Sequence, residues 1–247
     1  MSDRLIINMF ETMDRGGWIL CQTASFFYKI EKCDSLSMKL SAQERHKGKK
    51  NKMEKKRIIL ASGSPRRKEL LLQIGIVPEI IVSHVEEKIT SDEPSGVVMS
   101  LAEQKAVDVA EDMPEGAVVL GSDTVVAADG KILGKPKSHE EAYEMIKRLA
   151  GRSHQVYTGV CIVKKGTAGE KDTVVSFYDE TDVNVSTMTE AEIREYADSE
   201  EPMDKAGSYA VQGFFARYIE GLKGSYANVM GLPVHLVYQK LKELGAV

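Results

Sequence analysis

An α/β fold built on a mixed sheet flanked by helices is what this sequence predicts, on three observations. Short apolar runs bounded by turn residues alternate with stretches of helical apolar spacing. Asp129-Gly130 joins two such runs as a tight hairpin, so antiparallel pairs stand beside parallel ones. Ser138 with Glu141, and Thr189 with Glu192, carry the capping-box spacing that opens a helix. Composition agrees, since 247 residues with 43% apolar and 28% charged side chains exclude wholesale disorder, collagen and coiled coil. A chain of this length buries a core without disulfide staples. Cys21, Cys33 and Cys161 are an odd number outside any C-x-x-C spacing, which points to a reducing, cytoplasmic setting. The longest apolar stretch, 17–28, is broken by Gln22, Thr23 and Ser25 and falls short of the roughly 20 residues a bilayer requires.

Each element then follows in order. Residues 58–61 read as a short buried strand, and Ser64-Pro65 as an N-cap with proline at the first helical position, opening a helix to Ile74 that Gly75 stops. A second short strand covers 79–83. Val98, Leu101, Ala102, Ala106 and Val109 form a helical stripe over 95–110. Residues 117–128 are too apolar for a strand exposed on both faces, and the hairpin returns through 131–133. A helix runs from the Ser138 cap to Ala150, ended by Gly151. Long strands are expected at 155–164 and 173–185, a helix from Thr189 to about 199, a strand at 217–222, and a terminal helix from Pro233 through Leu244.

Charge divides the chain near Met53. Residues 1–52 hold ten Lys+Arg and six Asp+Glu, a net of +4; the other 195 hold 23 and 31, a net of −8. The first part lacks clear periodicity and ends in the basic, polar run 44–52, read as a solvated linker. No aromatic interleaving or helix-turn-helix pattern accompanies that run, which speaks against nucleic acid as a partner. Residues 1–52 are therefore expected to be an N-terminal extension, poorly ordered or not native, with a start at Met53 as one reading, and 53–247 a single domain.

Three clusters carry the chemistry. In Ala61-Ser62-Gly63-Ser64-Pro65-Arg66-Arg67-Lys68, a strand turns into a helix whose first turn holds two arginines. Such a turn offers backbone N–H groups and guanidinium forks to phosphate oxygens. It is neither a Walker A loop nor a dinucleotide fingerprint. The second cluster, Gly121-Ser122-Asp123-Thr124, places an acid inside an apolar strand, where a carboxylate is costly unless it is paired, binds a metal or lines a cleft. Asp123 is the first candidate for an acid-base or metal-binding group, and Asp123→Asn is expected to leave the protein as stable or more so. Lys135 and the pair Glu86-Glu87 are weaker signals on loops. The third cluster spans 204–213 and 224–233, where glycines and small residues imply close backbone approach. His154 and His235 read as ordinary core or surface residues, and no His/Cys constellation supports zinc.

Taken in chain order, Ser62-Gly63-Ser64-Pro65-Arg66-Arg67, Gly121-Ser122-Asp123-Thr124-Val125, Gly134-Lys135-Pro136, Thr158-Gly159-Val160, Asp204-Lys205-Ala206-Gly207, Gln212-Gly213, Gly224-Ser225-Tyr226 and Gly231-Leu232-Pro233 resemble the Maf family of nucleoside triphosphate pyrophosphatases. The likeness runs over 57–247 and leaves the first 52 residues unmatched. It implies a fold like the inosine triphosphate pyrophosphatases, with two lobes around a cleft, commonly a homodimer. It also implies hydrolysis of a nucleoside triphosphate to monophosphate and pyrophosphate with a divalent cation, Mg²⁺ or Mn²⁺. The 204–213 stretch is similar to the branch acting on dTTP and UTP. Residue by residue, the resemblance implies Asp123 as proton acceptor and Arg66, Thr124 and Gln212 in base selection, with Ser64, Arg67, Lys105 and Lys135 at further cleft positions. Glu87 would hold the metal with Asp123. The alternatives are 7-methyl-GTP or a modified pyrimidine nucleotide as substrate, or a septum-formation inhibitor that binds a partner or DNA through the basic stretch 45–57.

Overall fold

The computed structural model describes residues 57–247 and, before them, three short strands. The chain divides into two units, Met1–Lys52 and Met53–Val247. In the first, β1 (Thr12–Met13), β2 (Ile19–Thr23) and β3 (Phe26–Lys29) form an antiparallel meander in which Leu20 faces Thr12 on one side and Lys29 on the other. The sequence reading assigns no strand here, because runs of two to five residues hold too few repeats of period two to stand out. The basic run 44–52 and the Met53 start lie outside the described residues.

The second unit follows the predicted alternation. It contains β4 (Ile58–Leu60), α1 (Pro65–Gln73), β5 (Glu79–Ile80), α2 (Pro94–Glu111), β6 (Val118–Ala128), β7 (Lys131–Leu133) and α3 (His139–Leu149). Then come β8 (Ser153–Lys164), β9 (Thr173–Val185), α4 (Glu190–Ala197), β10 (Ile219–Lys223), α5 (Tyr226–Met230) and α6 (Val234–Glu243). Three 3₁₀ turns, Glu201–Asp204, Ala206–Ser208 and Phe214–Tyr218, fill the connection between α4 and β10. The last of these delays the strand expected at 217 until Ile219. The strand expected at 79–83 pairs only over Glu79–Ile80.

Local capping is partly as expected. Thr189 and Glu192 complete the reciprocal box, each side chain bonding the other's backbone N–H. Ser138 accepts from Glu141 N–H, but the Glu141 carboxylate reaches one residue further back, to Lys137 N–H. Ser64 stands at the cap position of α1 without a side-chain bond, and its own N–H donates to Ser62 Oγ.

The sheet order is β10-β9-β8-β6-β4-β5, with β7 paired to β6. β4 is parallel to β5 and β6, and the remaining pairs are antiparallel, giving the mixed sheet. Helices cover both faces. Leu70 and Leu71 of α1 and Val237 and Leu241 of α6 pack on Leu60, Leu120 and Ile162, while Ala102, Ala106 and Val109 of α2 pack on Ile59, Val119 and Cys161. A further core joins Val126 and Val156 to Tyr143, Ile146, Tyr196 and Phe215 from α3, α4 and the third 3₁₀ turn.

One edge of β6 opens the site. That edge ladders with β4 at Val118, Val119 and Leu120 and with β7 from Val126 to Ala128. Among the described residues no strand covers 121–125 between them on that side. Asp123 and Thr124 sit in this gap and are partly exposed, whereas the flanking residues of β6 are buried. Among the described residues no helix is long and apolar enough to cross a membrane.

Candidate active site

A cleft of about 480 Å³ lies over the gap in β6. Ser64, Arg66, Arg67, Glu87, Lys105, Asp123, Thr124, Lys135 and Gln212 all line it. These residues come from α1, α2, β6, the hairpin and two loops, so the tertiary fold gathers the whole predicted set. The lining also includes Ser62, Asp204, Lys205, Tyr209 and Gly231, which the sequence reading did not select as site residues. Ser62 stands in the first cluster, and the signal for the other four was the density of small residues in the third, which marks close approach without saying which side chain faces the cleft.

Strand alternation sends Asp123 and Thr124 to opposite faces of β6. Asp123 faces α2, where Lys105 Nζ donates to its Oδ1 at 2.6 Å and pairs with Glu87 Oε1 at 2.9 Å. The Asp123 and Lys105 side chains are each 16% exposed, and Glu87 is 49% exposed. The carboxylate is therefore compensated by a mostly buried ammonium, which overturns the expectation that its neutralisation leaves stability unchanged or raised. The approach that allows this rests on two glycines. A Cβ on Gly121 would lie 2.2 Å from Ala102 O, and one on Gly159 2.3 Å from Val98 O, so α2 sits closer to the sheet than any side chain there would permit.

Thr124 faces the other way. Its Oγ1 shares a hydrogen bond of 2.9 Å with Thr158 Oγ1, whose hydroxyl donates to Asn228 O. Ser122 donates to Gly231 O on the same face. Arg67 ties these pieces together. Its Nε donates to Gly231 O at 2.9 Å, Nη1 to Ser62 Oγ at 3.0 Å and Nη2 to Thr124 Oγ1 at 3.2 Å. Burial pulls the Arg67 guanidinium below its usual pKa, and nearby Asp123 partly restores it. Three of its five N–H donors are thus committed to the protein, so it fastens the cleft walls instead of presenting a free fork. The side chains of Arg66, Lys135 and Gln212 make no hydrogen bond to other described residues, and their polar ends are available to a ligand.

The cleft is locally positive in a negative domain. Arg66, Arg67, Lys105, Lys135 and Lys205 face Glu87, Asp123 and Asp204, five cations against three carboxylates, while residues 53–247 carry a net of −8. The surplus is confined to the place where a polyanion would sit. Among the described residues no group of three or more His, Cys, Asp and Glu gathers as a metal cage. Asp123 and Glu87 still suit a hard divalent cation, which takes one or two carboxylates and completes its shell with waters and substrate phosphates. His235 is exposed, as expected; His154 is a core residue with Nε2 2.8 Å from Tyr209 Oη, but its buried Nδ1 has no hydrogen-bond partner among the described residues, so it is only half satisfied.

A mixed α/β sheet whose one partly exposed central acid lies in a cation-lined cleft defines a binding site for a polyanionic ligand. The chain belongs to the Maf family, whose description, Maf-like protein, matches residues 57–244. It is similar to the dTTP/UTP pyrophosphatase of Agathobacter rectalis, 49% identical over 203 residues that cover 76% of this chain and 97% of that protein. The Lachnoclostridium phytofermentans protein of the same name is 46% identical over 188 residues, 76% of this chain and 95% of its own. That of Bacillus cereus is 49% identical over 189 residues, 76% and 90%.

Proposed function

We propose that this chain hydrolyses dTTP and UTP to the nucleoside monophosphate and pyrophosphate in the cleft around Asp123. The observation that carries the reading is the convergence of five cations on one cleft of a domain of net −8, with a single acid held at its centre. The names and high identity of the relatives support the substrate class.

In this reading water attacks phosphorus, the α–β anhydride P–O bond breaks and pyrophosphate leaves. Asp123 accepts the proton of the attacking water; Lys105 holds Oδ1, which fixes the carboxylate and leaves its second oxygen for that proton. Arg66, Lys135 and Lys205 neutralise the triphosphate oxygens, where a preorganised cation in a partly desolvated cleft is worth far more than in water. Asp123 and Glu87 would hold a divalent cation, which when bound would supply further positive charge against those oxygens. Gln212 offers one amide donor and one acceptor, the complement of a pyrimidine's N3–H and O4 edge. Thr124, held by Thr158 and Arg67, shapes the adjoining wall. A homodimer, on the family resemblance, and a reducing cytoplasmic location, to which the free, buried thiol of Cys161 is suited, belong to the same proposal.

The test is a nucleotide panel with Mg²⁺ and Mn²⁺, read as pyrophosphate and monophosphate. dTTP and UTP are expected to turn over much faster than ATP or GTP. Orthophosphate as the first product overturns the reading.

A further inference from the structure

We infer that Glu201, which lies outside the cleft lining, is a positioning residue: its carboxylate holds the backbone just beyond the turn that presents Gln212, and so sets base discrimination. The inference rests on the pyrimidine nucleotide reading above.

The connection between α4 and β10 has no sheet ladder to shape it. Ala210, Val211 and Gln212 line the cleft on a turn closed by one backbone bond, Gly213 N–H to Ala210 O at 3.1 Å. Beyond that turn, Glu201 Oε2 accepts Phe214 N–H at 2.8 Å and Oε1 accepts Phe215 N–H at 3.4 Å. These amides open the 3₁₀ turn Phe214–Tyr218, and Gly213 before it has no side chain with which to cap them. Beside the turn, Tyr196 Oη donates to Glu201 Oε1 at 3.1 Å. The backbone carbonyl of Glu201 accepts Lys205 Nζ at 3.4 Å.

Two further observations show that the fit is close. A Cβ on Gly213 would lie 2.3 Å from Glu201 Oε1, so the carboxylate lies directly against that backbone and only glycine admits it. Tyr196 and Phe215, which share Glu201 Oε1, are almost fully buried, so little water reaches the partners of that oxygen to substitute for a lost acceptor, whereas the bond to Phe214 N–H lies at the surface. With a single internal bond in the turn, the direction of the Gln212 side chain depends on the carboxylate anchor at Phe214 and Phe215. The hydrogen-bond partners of Glu201 lie outside β6 and α2, which carry Asp123 and Lys105.

The test is steady-state kinetics of the full chain with Glu201→Gln and Tyr196→Phe, measured per folded molecule on dTTP, UTP and GTP. Glu201→Gln keeps the shape but turns an amide donor toward Phe214 N–H. Its KM for dTTP and UTP is expected to rise roughly tenfold, the scale of one hydrogen bond to a charged acceptor. The dTTP-to-GTP ratio of kcat/KM falls in step, while kcat on dTTP stays within about threefold, since binding and not chemistry is disturbed. Tyr196→Phe removes only the hydroxyl that steadies Glu201 Oε1 and shifts the same two readouts less, in the same direction. It decides the matter if Glu201→Gln fails to fold. A lowered melting temperature with unchanged KM and unchanged ratio overturns the inference, leaving Glu201 a stabilising residue only. Wild-type protein that leaves dTTP and UTP intact overturns the nucleotide reading and this inference with it, whereas wild-type turnover with unaltered ratios in the variants overturns this inference alone.

Discussion

Asp123→Asn separates the chemical role of the acid from its structural one. The substitution keeps the shape, removes the proton acceptor and leaves the Lys105 ammonium with Glu87 alone, 2.9 Å away. At 2.6 Å the lost Asp123–Lys105 attraction is about 6 kcal/mol gross for an effective dielectric of about 20. Most of that only offsets the cost of desolvating the pair, and breaking a buried pair costs about 3–5 kcal/mol when the survivor is left unpaired. Lys105 is not left unpaired, because half-exposed Glu87 remains, so the net loss should be about 1–2 kcal/mol. For a domain of this size that is a fall of about 2–8 °C in melting temperature. Turnover should drop at least ~10²-fold, the usual scale for a positioned acid-base group. Calorimetry and pyrophosphate release on the same preparation give both numbers per folded molecule. Near-normal turnover would remove Asp123 from the mechanism, and a higher melting temperature would show that Lys105 does not compensate the carboxylate.

Two further outcomes are expected. Burial pushes His154 down to about 4 from its ordinary 6.5, so the unfolded chain binds the proton more tightly; the stability from keeping it neutral is full above pH 6.5, is lost as pH falls toward 4, and amounts to about 3 kcal/mol. Urea titrations between pH 7 and 4.5 should show a slope that His154→Gln lacks, and equal slopes would refute the linkage. Removing residues 1–52 should leave kcat and KM on dTTP nearly unchanged, because the two units are separate clusters of contacts and every cleft residue belongs to the second. A folded 53–247 chain without activity would show that the first unit takes part in the reaction.

The elements of this protein were legible because their signals are local. Ser138, Thr189 and the Asp129-Gly130 turn act over two to four positions, and the apolar runs of β6 and β8 are long enough to declare themselves buried. The elements that went unseen, β1 to β3, α5 and the 3₁₀ turns, are two to five residues long and carry no such repeat. The acid in an apolar strand and the paired arginines after a Ser-Gly-Ser turn marked two cleft walls, and the family resemblance supplied the rest of the set.

What each group does with its neighbours was decided only by the tertiary structure. Lys105 lies 18 positions from Asp123, Thr124 57 from Arg67, and Gly231 164 from Arg67, and no local rule spans such separations. Arg67 looks as free as Arg66 in sequence, yet the packing of α1 spends three of its donors on the cleft walls. Glu201 reads as one more surface acid until the turn after Gln212 folds back onto it. Hydrogen-bonding capacity is written in the residue type, whereas which partner consumes it depends on how closely two distant backbones pack, and at Gly121 and Gly159 the helix backbone comes so close that a Cβ would lie 2.2 and 2.3 Å from it.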